Sequence, residues 1–416
     1  MRFASTILAF VLSATALVSA GVIERRGVVK MMTPSSLRRP TGAVYFITNE
    51  PQENMIITAS IDTDGTLRLD RAVAAGGRGL HGVTANGNMG VDGLFSQGSV
   101  QVSQKANVLA VVNPGSNTIS LFSIDPSKPT NISPLGDPVS SEGEFPVSLA
   151  FNADGSRLCA LNGGAINGVN CFSVDKKLGL VPVPNSLRYL GYNQTTPANG
   201  PPGSLSQIIF SEDDSKLLAS YKGTANAPGY LVSWDVQKDG SLSAQHSQVA
   251  VAQGGMVPFS LTPVPKQNAF FVTDPGIGYD IVDLSGKKRD AAVTVSGQMA
   301  TCWSTYSPKT GNYYAIDVGG NVIREVHLDG NLKGSVVATH SVPAGTSPID
   351  SAVATIRGKD YLYVLGANAT SVEVFALSAP GQAKQISKVD ISGPAHYAQI
   401  PIHAANLQGM ATYMTN

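Results

Sequence analysis

The 416-residue chain is 43% hydrophobic and 14% charged, and its 29 Lys+Arg balance 29 Asp+Glu. With no net charge and with basic residues scattered rather than striped, it offers no field for nucleic acid or an anionic membrane. Its 43 glycines and 25 prolines fit a turn-rich, all-β globular chain.

Arg2, an apolar stretch over 7–18 and Val18-Ser19-Ala20 before Gly21 read as a secretory signal peptide over 1–20. The run is too short to span a bilayer, and small residues mark a cleavage site. Residues 21–40 read as a leader or flexible N-terminus, in which Arg25-Arg26 is either a dibasic processing site or two solvated arginines. A single domain is expected over 41–416. No second apolar run reaches spanning length, so the expectation is an exported, soluble monomer, secreted or held in a cell wall, with no membrane insertion.

From residue 44 onward one pattern returns seven times: a β-branched or aromatic run, a turn rich in Gly, Asn, Asp or Pro, and a second alternating run. The pairs are 44–48 with 55–61, 108–112 with 118–123, 157–161 with 169–174, 216–221 with 230–236, 269–273 with 279–284, 313–316 with 321–328, and 361–365 with 371–377. The mean period is about 53 residues. An all-strand repeat near this length predicts a β-propeller, since one four-stranded sheet cannot bury both its faces and must stack against neighbours. The fold class is therefore all-β, a seven-bladed β-propeller.

An apolar stretch precedes each hairpin but the first: 99–103, 147–151, 205–210, 259–264, 300–306 and 349–354. These read as the innermost strands. The first blade lacks one, and the C-terminal segment 406–413 is its natural donor, closing the ring and leaving no sheet edge open. Segments 132–140 and 178–190 read as outer strands with loops. Two insertions break the period. Residues 76–98 carry eight glycines with Arg78, His81, Asp92 and Gln97, and form either a crossing or a lid over a channel mouth. Residues 191–203 are Pro/Thr/Asn-rich and expected at the surface.

Cysteines agree with an oxidising compartment. If Leu161 pairs with Val169, Cys159 stands directly opposite Cys171, within disulfide reach. Cys302 is left over, either a small buried hydrophobe or a lone nucleophile. Asn131, Asn193 and Asn368 head N-x-[ST] sequons.

In every blade the end of the first hairpin run points to one face. Those positions read Asn49, Asn113, Asn162, Lys222, Asp274, Asp317 and Asn368. Asn and Asp start turns by bonding their own backbone, whereas Lys has no such propensity, so Lys222 is expected to be an exposed cation selecting an anionic ligand. Gln97, Glu144 and Gln207 belong to the same face. The inner-strand residues Gln101, Ser148, Ser260, Thr301 and Asp350 are candidates to line the channel, which propellers commonly keep wet and polar without a site. No G-x-S-x-G, H-E-x-x-H or C-x-x-C is present. The six histidines lack metal-ligand spacing, so no metal or cofactor is expected.

Several of these segments together resemble a known family: Leu94-Phe95-Ser96-Gln97-Gly98, Asn113-Pro114-Gly115-Ser116-Asn117-Thr118, Gly143-Glu144-Phe145-Pro146-Val147, Leu161-Asn162-Gly163-Gly164 with Cys171, and Tyr221-Lys222-Gly223. The chain is similar to the lactonase-type seven-bladed propellers, and within them to the secreted fungal 3-carboxymuconate cyclase-like proteins, some of them cell-surface glycoproteins. The resemblance implies closure of a muconate to a lactone or hydrolysis of a sugar lactone. The His, Arg and Glu set associated with the intracellular cyclases has no counterpart on the inner strands. Ser148 stands where lactonase propellers often carry His, and Ser206 or Gln207 and Ser260 occupy the corresponding places of the next two blades.

Two expectations follow. One is a metal-free enzyme acting on a small anionic muconate or lactone, with Lys222 anchoring a carboxylate and Glu144 or Asp317 moving the proton. Asn113, Asn162, Gln97, Gln207 and Asp274 would then contact the ligand. The other is a non-catalytic extracellular glycoprotein whose rim binds an extracellular ligand.

Overall fold

The computed structural model describes residues 28–31, 40–84, 86–224 and 226–415. The expected signal peptide and Arg25-Arg26 lie outside the described residues. Among the described residues no helix is long and apolar enough to cross a membrane.

Seven antiparallel sheets surround one axis. Blade 1 takes its inner strand from the C-terminus: Gln408–Met414 pairs with Gly42–Ile47, followed by Met55–Ile61 and Leu67–Ala74. The other inner strands are Val100–Ser103, Pro146–Phe151, Leu205–Phe210, Leu261–Val264, Thr301–Ser307 and Pro348–Ile356. Closure by the two ends of the chain is thus as expected. It is reinforced where Tyr413 Oη donates to Asn107 Oδ1 at 2.7 Å and Tyr363 Oη donates to Gly65 O at 3.1 Å, contacts that bind blade 1 to its two neighbours.

Burial explains why the strands read as they do. Second strands such as Ala269–Asp274 and Asn312–Asp317 are buried at every position, because flanking blades cover both faces. Outer strands alternate instead, as in Ala383–Asp390, where every second residue is exposed. Leu161 pairs with Val169 and Cys159 with Cys171; the two cysteines form a disulfide across a Cα–Cα distance of 4.0 Å. Cys302 is free and buried.

The sequons differ in exposure. Asn193 and Asn368 are exposed, while Asn131 is half-buried and its side-chain oxygen accepts a bond from Arg71 Nη1 at 3.0 Å.

Candidate functional site: a polar chamber on the propeller axis

The glycine-rich insertion is a plug. Val83–Thr84 pairs in parallel with Asn199–Gly200, from the second insertion. His81 is buried with both ring nitrogens on backbone oxygens, those of Gly82 and Gly90. Gly93 packs so closely on the His81 ring that an added Cβ would meet it at 2.7 Å. Residues 92–98 then cross the channel mouth, with Asp92 and Phe95 at φ +68° and +53°.

Three blades hold this segment. In blade 3, Ser96 Oγ donates to Val147 O at 2.8 Å and Ser148 Oγ donates to Gln97 O at 2.7 Å. In blade 4, Lys222 Nζ donates to Phe95 O at 2.6 Å. In blade 6, Trp303 Nε1 donates to Ser96 O at 3.0 Å, and the Gln97 amide pairs with both the N–H and the carbonyl of Ser304, at 3.0 and 3.1 Å.

Beneath the plug, side chains from the plug, from the end of the second strand of blade 4 and from the starts of three inner strands gather in a buried polar cluster, the axial chamber. Lys222, Asp92, Asp350, Gln408 and Cys302 meet there, all buried. Lys222 Nζ spends two of its donors on Phe95 O and Leu205 O and lies 4.9 Å from the centroid of the Phe259 ring. It makes no direct ion pair with Asp92, although the two attract. Burial pushes the Asp92 carboxyl up to about 7 and pulls the Lys222 ammonium down to about 7, their attraction opposing both shifts. Burial, assisted by Asp92, also raises Asp350 and the Cys302 thiol well above their ordinary ranges. Cys302 is thus a neutral buried thiol and not an activated nucleophile. Gln408 approaches Asp92, yet both its amide atoms lack a hydrogen-bond partner among the described residues. Sites where burial and opposed charges bring an acid and a base to similar pKa values are where proton-transfer chemistry is found.

Several expected roles are revised. Lys222 is no exposed rim cation: it is fully buried. The paired ring position of blade 4 is Tyr221, and Lys222 stands one residue further on; in a strand, one residue turns the side chain to the other face. In blade 7 the ring position is Gly366, so Asn368 falls in the exposed turn beyond it.

The remaining ring members are buried and structural. Asn49 pairs both ways with the Leu80 backbone, at 3.0 and 3.1 Å. Asn113 donates to Ser120 Oγ at 2.8 Å, Asn162 donates to Ser141 O at 3.0 Å, and Asp274 accepts from Met256, Val257 and Gly276 N–H. Gln97 and Gln207 are likewise consumed, the latter by Leu261 N and O at 2.6 and 3.2 Å.

Asp317 accepts from Met299, Ala300 and Gly320 N–H and from Arg324. Burial alone would raise its pKa, but these donors hold it below the ordinary range, so it stays ionised and is unsuited to shuttling a proton. Glu144 sits half-buried in the loop before blade 3, accepting from Thr196 Oγ1. Of the three residues expected to be catalytic, only Lys222 reaches the chamber. Asp92, Asp350 and Gln408 carry no local motif, and only the repeat register at the inner-strand starts hints at the last two.

Below the plug lies a channel cavity of about 330 Å³, lined by Gln101, Gln207, Thr262, Ser304, Ser351 and Thr412 among others and by no titratable side chain. The axial charge is concentrated on the plug side.

Residues 36–187 match the family model described as lactonase, 7-bladed β-propeller. No curated protein matches the chain. Among solved structures, the periplasmic gluconolactonase of Pseudomonas aeruginosa is 16% identical, with a TM-score of 0.63, covering 90% of this chain and 99% of its own. A putative 6-phosphogluconolactonase from Bacteroides uniformis is 15% identical at TM-score 0.61, covering 84% and 97%. A functionally unknown protein from Desulfotomaculum acetoxidans is 14% identical at TM-score 0.57, covering 89% and 99%. Together these show the seven-bladed propeller fold, with residues 36–187 similar to the lactonase propeller family.

Proposed function

We propose that the protein is an exported propeller enzyme that opens or closes a small lactone, and that its reaction takes place in the chamber beneath residues 92–98. The observation carrying this reading is the meeting of Lys222 and Asp92 on the axis, both buried and attracting each other without a direct ion pair, with the Gln408 amide close to Asp92. In hydrolysis the Asp92 carboxylate takes a proton from water as the water oxygen adds to the lactone carbonyl carbon. The third N–H of the Lys222 ammonium faces the developing oxyanion. The ring C–O bond then breaks, and the departing oxygen takes the proton from Asp92. Closure of a muconate runs through the same groups, with a substrate carboxylate adding to a carbon–carbon double bond and Asp92 supplying the proton to the adjacent carbon. Neutral channel walls and one ammonium favour a substrate with a single carboxylate or several hydroxyls.

The test is a panel of sugar lactones and muconates followed for ring opening or closure with wild type, Asp92→Asn and Lys222→Met. Turnover that falls at least 100-fold in both variants supports the reading. Absence of turnover across the panel, or equal rates in all three proteins, overturns it. The second reading, a non-catalytic extracellular binding propeller, draws on the seal itself, since three blades clamp the plug. It predicts saturable binding of panel members without turnover.

A further inference from the structure

We propose that Asp274 and Asp280, at the plug-side end of blade 5, bind a hard divalent cation of the calcium class. The argument comes from comparing two consecutive blades. In blade 6, Asp317 closes the second strand and accepts from Met299 N and Ala300 N, both at 2.9 Å. In blade 5, Asp274 closes the second strand and accepts from Met256 N and Val257 N, at 2.6 and 2.9 Å. A glycine with positive φ precedes each methionine by two residues, Gly297 at +72° and Gly254 at +101°. The two loops are the same device.

The third strands then differ in one position. Arg324 faces Ala315, two residues before Asp317; Asp280 faces Val272, two residues before Asp274. In blade 6 the guanidinium bridges the Asp317 carboxylate and the Gly297 carbonyl, the latter at 2.8 Å. In blade 5 a second carboxylate occupies the place of that cation.

Asp280 is fully buried, next to Asp274, and both its oxygens lack a hydrogen-bond partner among the described residues. It is pressed against the loop backbone, where a Cβ added at Gly255 would come within 2.6 Å of Asp280 Oδ1. Burial and the neighbouring Asp274 carboxylate, which lies within hydrogen-bond reach, push the Asp280 carboxyl up to about 9, so without a counter-charge Asp280 holds a proton, and a cation between the two carboxyls would take its place. The donors on offer are carboxylate oxygens and, by the blade 6 precedent, the Gly254 carbonyl. Such an all-oxygen set suits calcium and not a thiolate- or imidazole-seeking metal. Among the described residues no group of three or more His, Cys, Asp or Glu is placed to hold a metal. With so few charged ligands the expected dissociation constant is about 10⁻⁴–10⁻³ M, the range of extracellular modules.

Isothermal titration of the full folded protein with calcium chloride at pH 7 tests this. Wild type is expected to bind one ion in that range, and Asp280→Asn none. Calcium at ten times the dissociation constant should raise the melting temperature of wild type by about 2 °C. Asp280→Arg, which reproduces blade 6, should melt as the calcium-loaded wild type does and ignore calcium. Absence of binding by wild type up to 10 times the upper expected constant overturns the proposal, as does unchanged binding by Asp280→Asn. Stabilisation of calcium-free wild type by acid, absent in Asp280→Asn and accompanied by no calcium binding, would assign a shared proton to the pair and equally overturn it.

Discussion

Gln97→Ala should loosen the plug without touching the blades. The wild-type amide satisfies both Ser304 N and Ser304 O, at 3.0 and 3.1 Å, and Ser304 is 2% exposed. Two net hydrogen bonds at about 1 kcal/mol each put the loss near 2 kcal/mol for closing residues 92–98 over the chamber. At 1.4 kcal/mol per factor of ten, the open fraction should rise about 30-fold.

The chain carries its own reporter. Of three cysteines two are bonded to each other, leaving Cys302 as the single free thiol, buried beside Asp92 and Lys222. Its alkylation by a small reagent under native conditions, with reclosing fast relative to labelling, should therefore accelerate about 30-fold in the variant. Gln104→Ala is the control. That amide clasps the Met414 backbone in the same two-bond manner, at 2.6 and 2.9 Å, but away from the plug, and its loss should leave Cys302 labelling unchanged. Equal rates in Gln97→Ala and wild type, or labelling that tracks global unfolding across a denaturant series in both, would refute the plug.

Further outcomes are expected. Replacing Cys159 and Cys171 together by serine should cost about 3 kcal/mol, from the short separation of 12 residues, read as a lower urea midpoint at an unchanged slope. Removing Gln408–Met414 exposes the edge of Gly42–Ile47 and forfeits the burial of Met410 and Tyr413, a loss of at least about 4 kcal/mol; a monomer of unchanged melting temperature would contradict the closure.

Asp92 is pushed up in the folded protein, so between its ordinary range and about pH 7 the folded state holds a proton that the unfolded chain has released, and stability falls as pH rises through that window. Lys222 is pulled down, so between about pH 7 and its ordinary range the unfolded chain holds the extra proton, and stability rises with pH. Asp92→Asn should flatten the first limb and Lys222→Met the second, measured as urea midpoints from pH 4 to 10.

Blade number, closure by residues 406–413 and the opposition of Cys159 to Cys171 were legible in the sequence, because each rests on short-range rules: the period of the hairpins, the alternation of strands and the register of a single turn. The polar ring at the second-strand ends was legible as a pattern, and the tertiary structure decided its meaning by turning most of those side chains inward to hold loops.

Lys222 shows why. A shift of one residue past the ring is invisible in a list of turn residues, yet it carries the ammonium from the rim to the axis. Asp92 lay inside a glycine-rich loop whose path no local signal dictates, and Gln97 and Gln207 looked like ligand-binding amides until backbone groups of other blades claimed them. Residues 92, 222, 302, 350 and 408 belong to five separate stretches of the chain. The chemistry of the chamber depends on their burial together, and that burial arises only when the ring closes.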